Sequence, residues 1–167
     1  QILKDEVALS KEKFKKTDII PIIQSVVDDY NNIHQVKRGI KIFCINNTEK
    51  SYLINGIENR IEQIVANLLD NAISFSEDNK NIEVRISRNE NKQVVVNILD
   101  EGCGFKEKDT TKIFKRFYSN RPNKFGQHSG LGLNIVYNLV ELHKASISAS
   151  NRSDKMGANL EIIFPKI

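Results

Sequence analysis

The stretch Val94-Val-Val-Asn-Ile-Leu-Asp-Glu-Gly-Cys-Gly104 carries the strongest fold signal in the chain. Its first six residues are nearly all apolar and β-branched, which is typical of a strand buried on both faces of a sheet. Asp100 follows at the strand end, where a carboxylate can accept a hydrogen bond from an adenine amino group, and Gly102 and Gly104 let the backbone approach the base. Asp and Gly also form plain turns, so a simple turn is the alternative interpretation.

Residues 57–75 show the clearest helical pattern in the chain. Apolar residues recur along one face of the predicted helix, at Ile61, Ile64, Val65, Leu68, Ala72 and Phe75. Asn67 and Asn71 lie four residues apart and share another face, which we expect to be opposite the apolar one. Amide oxygens are hard ligands that suit Mg²⁺, an ion that arrives with phosphates. The alternative is a polar outer face that carries amides by chance.

The stretch Gly130-Leu-Gly-Leu133 opens a further predicted helix, which runs to His143 and has Ser129 as its cap. Backbone N–H groups at a helix N-terminus bind phosphate, and glycine lets the anion approach closely. The alternative is an ordinary helix start, but glycine in the first turn costs about 1 kcal/mol relative to alanine. The apolar face of this helix is predicted to consist of Leu131, Ile135, Leu139 and Leu142.

Residues 101–129 lack regular periodicity and are long for a loop in a compact domain, which indicates a functional segment or disorder. We interpret them as a lid over a ligand. The motif Ile113-Phe-Lys-Arg-Phe117 would anchor the lid through Phe114 on the core or on the ligand, while Arg116 could pair with a phosphate. Alternatively, the aromatic residues belong to the core and the cations form a solvated face.

The rest of the chain predicts a layered domain. A helix capped by Asp18 runs to about Lys37 and stops at Gly39. Residues 1–16 are polar and helix-prone, and strands are predicted at 40–45, 51–54, 82–86, 94–99, 147–151 and 159–164. Three helices against one face of a mixed sheet of five or six strands form an α/β (α+β) two-layer sandwich.

Composition narrows the function classes. The 167 residues fit one domain, and no apolar run approaches the roughly 20 residues of a membrane span. The net charge of +4 comes from basic residues interleaved with acidic ones, which argues against nucleic acid as a partner. Cys44 and Cys103 are distant from each other and form no CxxC pair, which argues against a zinc site or a disulfide framework.

In chain order, the motifs resemble the N, G1, F and G2 boxes of the histidine kinase ATPase superfamily (GHKL), which correspond here to Asn67–Asn71, Asp100–Gly104, Ile113–Phe117 and Gly130–Leu133. This superfamily also contains gyrase-type topoisomerases, mismatch-repair ATPases and a heat-shock chaperone. The resemblance covers residues 18–164. It implies the Bergerat ATP-binding fold, in which a mixed five-stranded sheet carries three helices on one face, and it implies ATP and Mg²⁺ as ligands.

The resemblance also implies residue roles. Asn67 and Asn71 would bind Mg²⁺ and phosphates, Asp100 the adenine, and Arg116 would stabilise the transferring phosphoryl group. The remaining nucleotide-binding residues implied are Gly102, Gly104, Phe114, Ser129, Gly130, Leu131, Gly132 and Leu133. In the ATPase branches a glutamate occupies the position of Asn67 and activates water. A neutral amide cannot act as this general base, so the kinase branch is favoured.

Two departures from the family pattern stand out. Many members carry Lys or Arg where this chain has Ser74, near the phosphates. The usual Gly-Gly after the last helix is replaced by Lys144-Ala145, which we expect to affect only a turn.

The phosphoacceptor motif, a histidine followed by Glu or Asp and soon by Pro, does not occur at His34, His128 or His143. The resemblance therefore implies an acceptor histidine on a separate dimerisation domain. Residues 1–16 would be the end of its helix or a linker, and 17–167 the catalytic domain. A response regulator would be an indirect partner, and the isolated domain would be monomeric within a homodimeric full-length protein.

The stretch before Gly130 resembles that of alphaproteobacterial envelope-sensor kinases, which implies the cytoplasmic part of an inner-membrane-anchored bacterial sensor. An alternative function is a nucleotide-binding regulatory module without phosphotransfer. A third is the serine-phosphorylating anti-sigma branch, which usually lacks the block at residues 113–117.

Overall fold

The computed structural model describes residues 13–46, 49–106, 110–114 and 132–167. These residues form three α-helices and seven strands. The helices are α1 (Ile19–Arg38), α2 (Glu58–Ser74) and α3 (Gly132–Leu142), and Thr111–Phe114 form a 3-10 turn. The strands are β1 (Lys15–Asp18), β2 (Lys41–Asn46), β3 (Leu53–Gly56), β4 (Asn81–Arg88), β5 (Val94–Leu99), β6 (Ser146–Asn151) and β7 (Ala158–Ile163).

Five strands form one mixed sheet in the order β2-β4-β5-β7-β6. Strands β2 and β4 are parallel, and every other neighbouring pair is antiparallel. Alternate residues of the strands join the apolar residues of all three helices in one core. The predicted two-layer sandwich with a mixed five-stranded sheet is therefore confirmed.

The sequence analysis predicted β2 and β3 as strands but could not assign their partners. They do not pair with each other, since β2 joins the large sheet and β3 pairs with β1 in a separate two-stranded sheet. Lys15 and Lys16 were predicted to be helical, but they lie in β1 opposite Gly56 and Asn55. Backbone pairing with a distant strand decides this segment, because its polar sequence carries no periodicity of its own.

The predicted ends of α1 are confirmed. Asp18 accepts a hydrogen bond from the N–H of Ile20 (3.1 Å) and a second from the N–H of Tyr52 (3.1 Å), so one carboxylate caps the helix and fixes the start of β3. Gly39 has a φ of 67°, the left-handed conformation that commonly ends helices.

The predicted apolar face of α3 was wrong for Ile135 and Leu142, which are 39% and 37% exposed. Leu139 packs against the core as predicted, and Leu131 lies outside the described residues. The buried residues of α3 are Leu133, Val136 and Val140. The helix is apolar around much of its circumference, so periodicity allows two faces. Packing against α2 selects the observed one. Within the described residues, no helix is long and apolar enough to cross a bilayer.

Candidate functional site

The last turns of α2 and the C-terminal end of β5 meet at one end of the sheet. A short connection leads from α2 into β4, which begins beside the end of β5. Glu83 pairs with Leu99, and the N–H of Asn81 donates to Oε1 of Glu101 (2.6 Å). Asn71, in the last turns of α2, and Asp100, directly after β5, therefore lie at the same end of the sheet.

Helix α3 brings its first turn to the same place. His143, directly after α3, accepts a hydrogen bond through Nε2 from the N–H of Ile57 at the start of α2 (3.1 Å). Because the two helices also pack against each other, they run antiparallel. With 11 residues, α3 is roughly 16 Å long. Its first residue, Gly132, therefore lies level with the part of α2 that carries Asn67 and Asn71.

The two asparagines differ in burial. Asn67 is half-buried, but Asn71 is only 4% exposed. Asn71 therefore does not lie on a solvated outer face, because α2 packs against α1, α3 and the sheet.

Asp70, next to Asn71, is exposed and forms a hydrogen bond with a residue of α1. Its Oδ1 accepts a hydrogen bond from the Tyr30 hydroxyl (2.9 Å), which links α1 to α2. Burial, together with this bond to a carboxylate, raises the pKa of Tyr30 well above its usual value. Asn67 and Asn71 also carry amide oxygens on this part of α2.

The Asp100 carboxylate is fixed in orientation. Asp100 is 2% exposed, and its Oδ1 accepts hydrogen bonds from the N–H groups of Gly102 (2.9 Å) and Ala158 (3.1 Å). We call residues 100–105 the glycine loop. Gly102 is buried, and Gly104 has a φ of 72°, which glycine adopts without strain.

Three residues that the sequence analysis did not assign to the site, Asn151, Arg152 and Gly157, contact the glycine loop from the hairpin of β6 and β7. Their signal was a glycine and two hydrogen-bonding side chains at a hairpin connection, which is common in sequences without function. Arg152 also forms two hydrogen bonds with Asp154 (3.0 and 2.9 Å). These bonds lower the pKa of Asp154 to about 2.

Phe114 is 7% exposed and packs in the core, one of the two positions expected for it. Its carbonyl accepts a hydrogen bond from Nδ2 of Asn134 (3.1 Å), and its ring stacks on Tyr137 with centroids 6.0 Å apart. Thr110 donates to the carbonyl of Ala149. The described part of the predicted lid is therefore anchored to α3 and β6.

The phosphate-binding motif is described only in part. A Cβ atom built on Gly132 would meet no atom of the described residues within 4 Å, so the space on that side of the residue is open. The side chain of Leu133 is 5% exposed and belongs to the core, so only its backbone can face a ligand. The predicted site residues Arg116, Ser129, Gly130 and Leu131 lie outside the described residues.

A depression of about 310 Å³ borders the glycine loop and is lined by Gly102, Cys103, Lys80 and Lys155, among others. A larger depression, of about 490 Å³, lies at the opposite end of the sheet beside Arg88, Val94 and Pro165. It includes none of the predicted site residues. In the part of the chain that the structure describes, no three His, Cys, Asp or Glu side chains cluster to hold a metal ion.

The chain matches the family described as histidine kinase-, DNA gyrase B-, and HSP90-like ATPase over residues 56–167. It is 36% identical over 156 residues to the sensor protein ChvG of Agrobacterium fabrum, a match that covers 89% of this chain and 26% of the relative. Identity to ChvG of Rhizobium meliloti is 34% over 156 residues, covering 89% and 27%. The chain thus spans about a quarter of the length of these relatives.

Solved structures show the same fold. The nucleotide-free catalytic domain of the histidine kinase ThkA superposes with a TM-score of 0.77 at 25% identity, over 92% of this chain and 96% of that one. A mycobacterial sensor histidine kinase, MprB, gives a TM-score of 0.76 at 21% identity, over 91% and 97%. The second likeness concerns the fold alone.

Proposed function

The chain belongs to the histidine kinase-, DNA gyrase B-, and HSP90-like ATPase family, and from this premise we propose that it is the ATP-binding catalytic domain of a two-component sensor histidine kinase. One observation carries the proposal. Asp100, Asn71 and the first turn of α3 belong to three separate elements that approach one end of the sheet. This proximity supports a single surface on which a base, a metal ion and phosphates would be bound.

Asp100 would bind the adenine. Its Oδ1 is held by two backbone N–H groups, so the carboxylate presents a fixed acceptor rather than a rotating one. An acceptor in this position pairs with the amino group of adenine, and the glycines beside it leave space for the base. This arrangement favours adenine over guanine, which carries an oxygen in place of that amino group.

Asn67 and Asn71 would hold Mg²⁺ through their amide oxygens. Mg²⁺ takes few protein ligands and completes its shell with water and phosphate oxygens, so two neutral amides suit an ion that arrives with a nucleotide. Asp70, the carboxylate nearest in sequence, is directed to Tyr30 instead.

The backbone N–H groups of Gly132 and of residues 129–131 would bind the phosphates at the start of α3, and the open space beside Gly132 supports this role. Arg116 would neutralise charge on the transferring group, and Phe114 would anchor the lid that carries Arg116. When bound, ATP supplies the γ-phosphoryl group.

The amide at Asn67 favours transfer of the γ-phosphoryl group over hydrolysis of ATP. A neutral amide cannot deprotonate water, so the γ-phosphoryl group is preserved for a protein acceptor. The acceptor would be a histidine on the protein's own dimerisation domain, to which residues 1–16 would connect, and a response regulator would receive the phosphoryl group next. The whole protein would be a homodimer anchored in the bacterial inner membrane, and residues 17–167 alone a monomer.

The test combines the chain with radiolabelled ATP, Mg²⁺ and a histidine-bearing helical acceptor domain as a separate polypeptide. We expect an acid-labile, base-stable phosphoacceptor, and no label with Asn71→Ala. ATP binding without transfer to any such acceptor would favour a regulatory nucleotide-binding module. Absence of ATP binding would contradict the proposal as a whole.

A further inference from the structure

The hairpin of β6 and β7 holds the first residue of the glycine loop through the backbone. The N–H of Asp100 donates to the carbonyl of Ala158 (3.0 Å), and the carbonyl of Asp100 accepts from Nη1 of Arg152 (3.2 Å). The N–H of Ala158 donates in turn to the Asp100 carboxylate (3.1 Å). Both backbone groups of Asp100 and its side chain are therefore attached to the hairpin.

Asn151 holds the other end of the loop. Its Oδ1 accepts a hydrogen bond from the N–H of Phe105 (2.7 Å), and its Nδ2 donates to the carbonyl of Phe105 (3.2 Å). One amide side chain thus pairs with both backbone groups of one residue, as a neighbouring strand would.

Two glycines make this contact possible. A Cβ atom on Gly157 would lie 1.9 Å from the carbonyl oxygen of Asp100, and one on Gly104 would lie 2.4 Å from Oδ1 of Asn151. The hairpin and the loop therefore touch backbone to backbone at one end and side chain to backbone at the other. Neither contact leaves room for a methyl group.

Arg152 is buried to a degree unusual for a charged residue. Its side chain is 1% exposed, and Nε and Nη2 are occupied by Asp154 (3.0 and 2.9 Å). The planar guanidinium is thereby oriented so that Nη1 points at the carbonyl of Asp100. Asp154, which is 51% exposed, acts as an orienting partner at the surface.

We propose that Asn151 and Arg152 are positioning residues of the nucleotide site, which hold the glycine loop in its binding conformation before the nucleotide arrives. The inference rests on the proposed function, because it takes the loop to be a nucleotide-binding element. A loop with two glycines has high conformational entropy when released, and ordering it on binding would weaken affinity. Preorganisation by the hairpin removes this cost.

The test is calorimetric titration of the 167-residue chain with ATP and Mg²⁺, using wild type, Asn151→Ala and a matched control. The control is Asn31→Ala, because Asn31 makes the same pair of hydrogen bonds to the N–H and carbonyl of Ile42 (2.8 and 2.9 Å) on β2, which β4 separates from β5 in the sheet. Both variants lose two comparable bonds. We expect Asn151→Ala to raise the Kd about tenfold and Asn31→Ala to leave it unchanged.

Equal affinity of the two variants would overturn the inference, and binding by wild type would leave the proposed function standing. If wild type itself fails to bind, the proposed function fails and the inference with it. Should Asn151→Ala not fold, Arg152→Met replaces it, since the Asp154 left behind is half in solvent. A several-fold higher Kd is expected for Arg152→Met, and an unchanged Kd would contradict the inference.

Discussion

Lys144 adopts a backbone conformation that suits glycine. Its φ is 56°, and the N–H groups of Lys144 and Ala145 bond to the carbonyls of Glu141 and Val140, the pattern that closes many helices. A glycine here would avoid the cost of a side chain in the left-handed region, about 1 kcal/mol. We therefore expect Lys144→Gly to raise the free energy of unfolding by about 0.5–1 kcal/mol in urea titrations. Lys144→Ala keeps a Cβ atom, so a gain of the same size in that variant would contradict the explanation.

His143 links the two helices of the site and makes stability dependent on pH. Burial lowers its pKa below the usual 6.5, while the hydrogen bond to the carbonyl of Leu139 (2.8 Å) opposes this shift. Because Nε2 must accept from Ile57, the folded state needs the neutral ring. Below pH 6.5 the unfolded chain binds the proton more readily, so stability is full above this pH and falls as the pH drops toward the folded pKa.

Urea titrations between pH 7.5 and 5.5 test the direction of this pH dependence. The free energy of unfolding of wild type should decrease on acidification, by at most about 1.4 kcal/mol per pH unit for one group. His143→Gln should lose most of this dependence. The comparison variant is His34→Gln, which should lose less of this dependence: burial also lowers the pKa of His34, but that side chain is only half-buried. A pH dependence unchanged by His143→Gln would contradict the assignment.

At the scale of elements, Arg38 closes the end of α2 from outside the helix. The last turn of α2 contains no basic residue, but Arg38, at the end of α1, donates to the carbonyls of Ile73 (2.9 Å) and Ser76 (2.5 Å). Its ion pair with Asp78 adds little, because the Asp78 side chain is 63% exposed.

Arg38→Met should lower the free energy of unfolding by about 1–3 kcal/mol, since two carbonyls lose charged donors. Arg38→Lys should recover only a minor part, because an ammonium group cannot reach both carbonyls with the geometry of a guanidinium. Chemical denaturation of the two variants measures this difference. Full stability in Arg38→Lys would show that charge alone suffices.

Elements with a strong local pattern could be predicted from the sequence, and elements decided by distant partners could not. The apolar run before Asp100 and the caps of α1 were correct because each depends on a few neighbouring residues. Strand β1 was missed because its pairing with β3 is nonlocal. The burial of Asn71 and the face of α3 depend on which elements pack around each helix, which periodicity alone does not specify.

At the scale of the molecule, the candidate site depends on the relative directions of the helices and strands that carry its residues. The antiparallel arrangement of α2 and α3 and the short connection from α2 to β4 bring residues from three parts of the chain together. The motifs could be identified in the sequence because each is a short local pattern. The hairpin contacts could not, because Asn151 and Phe105 are 46 residues apart.

The most direct test of the central claim is calorimetric titration of the chain with ATP and Mg²⁺, on wild type and Asp100→Asn. Because two N–H groups fix Oδ1, the new amide must place its NH₂ where the second carboxylate oxygen was, and a donor then meets the amino group of adenine. We predict that wild type binds ATP, that binding weakens without Mg²⁺, and that Asp100→Asn loses at least about 100-fold in affinity while remaining folded. Equal ATP affinity in a folded Asp100→Asn variant would contradict the account.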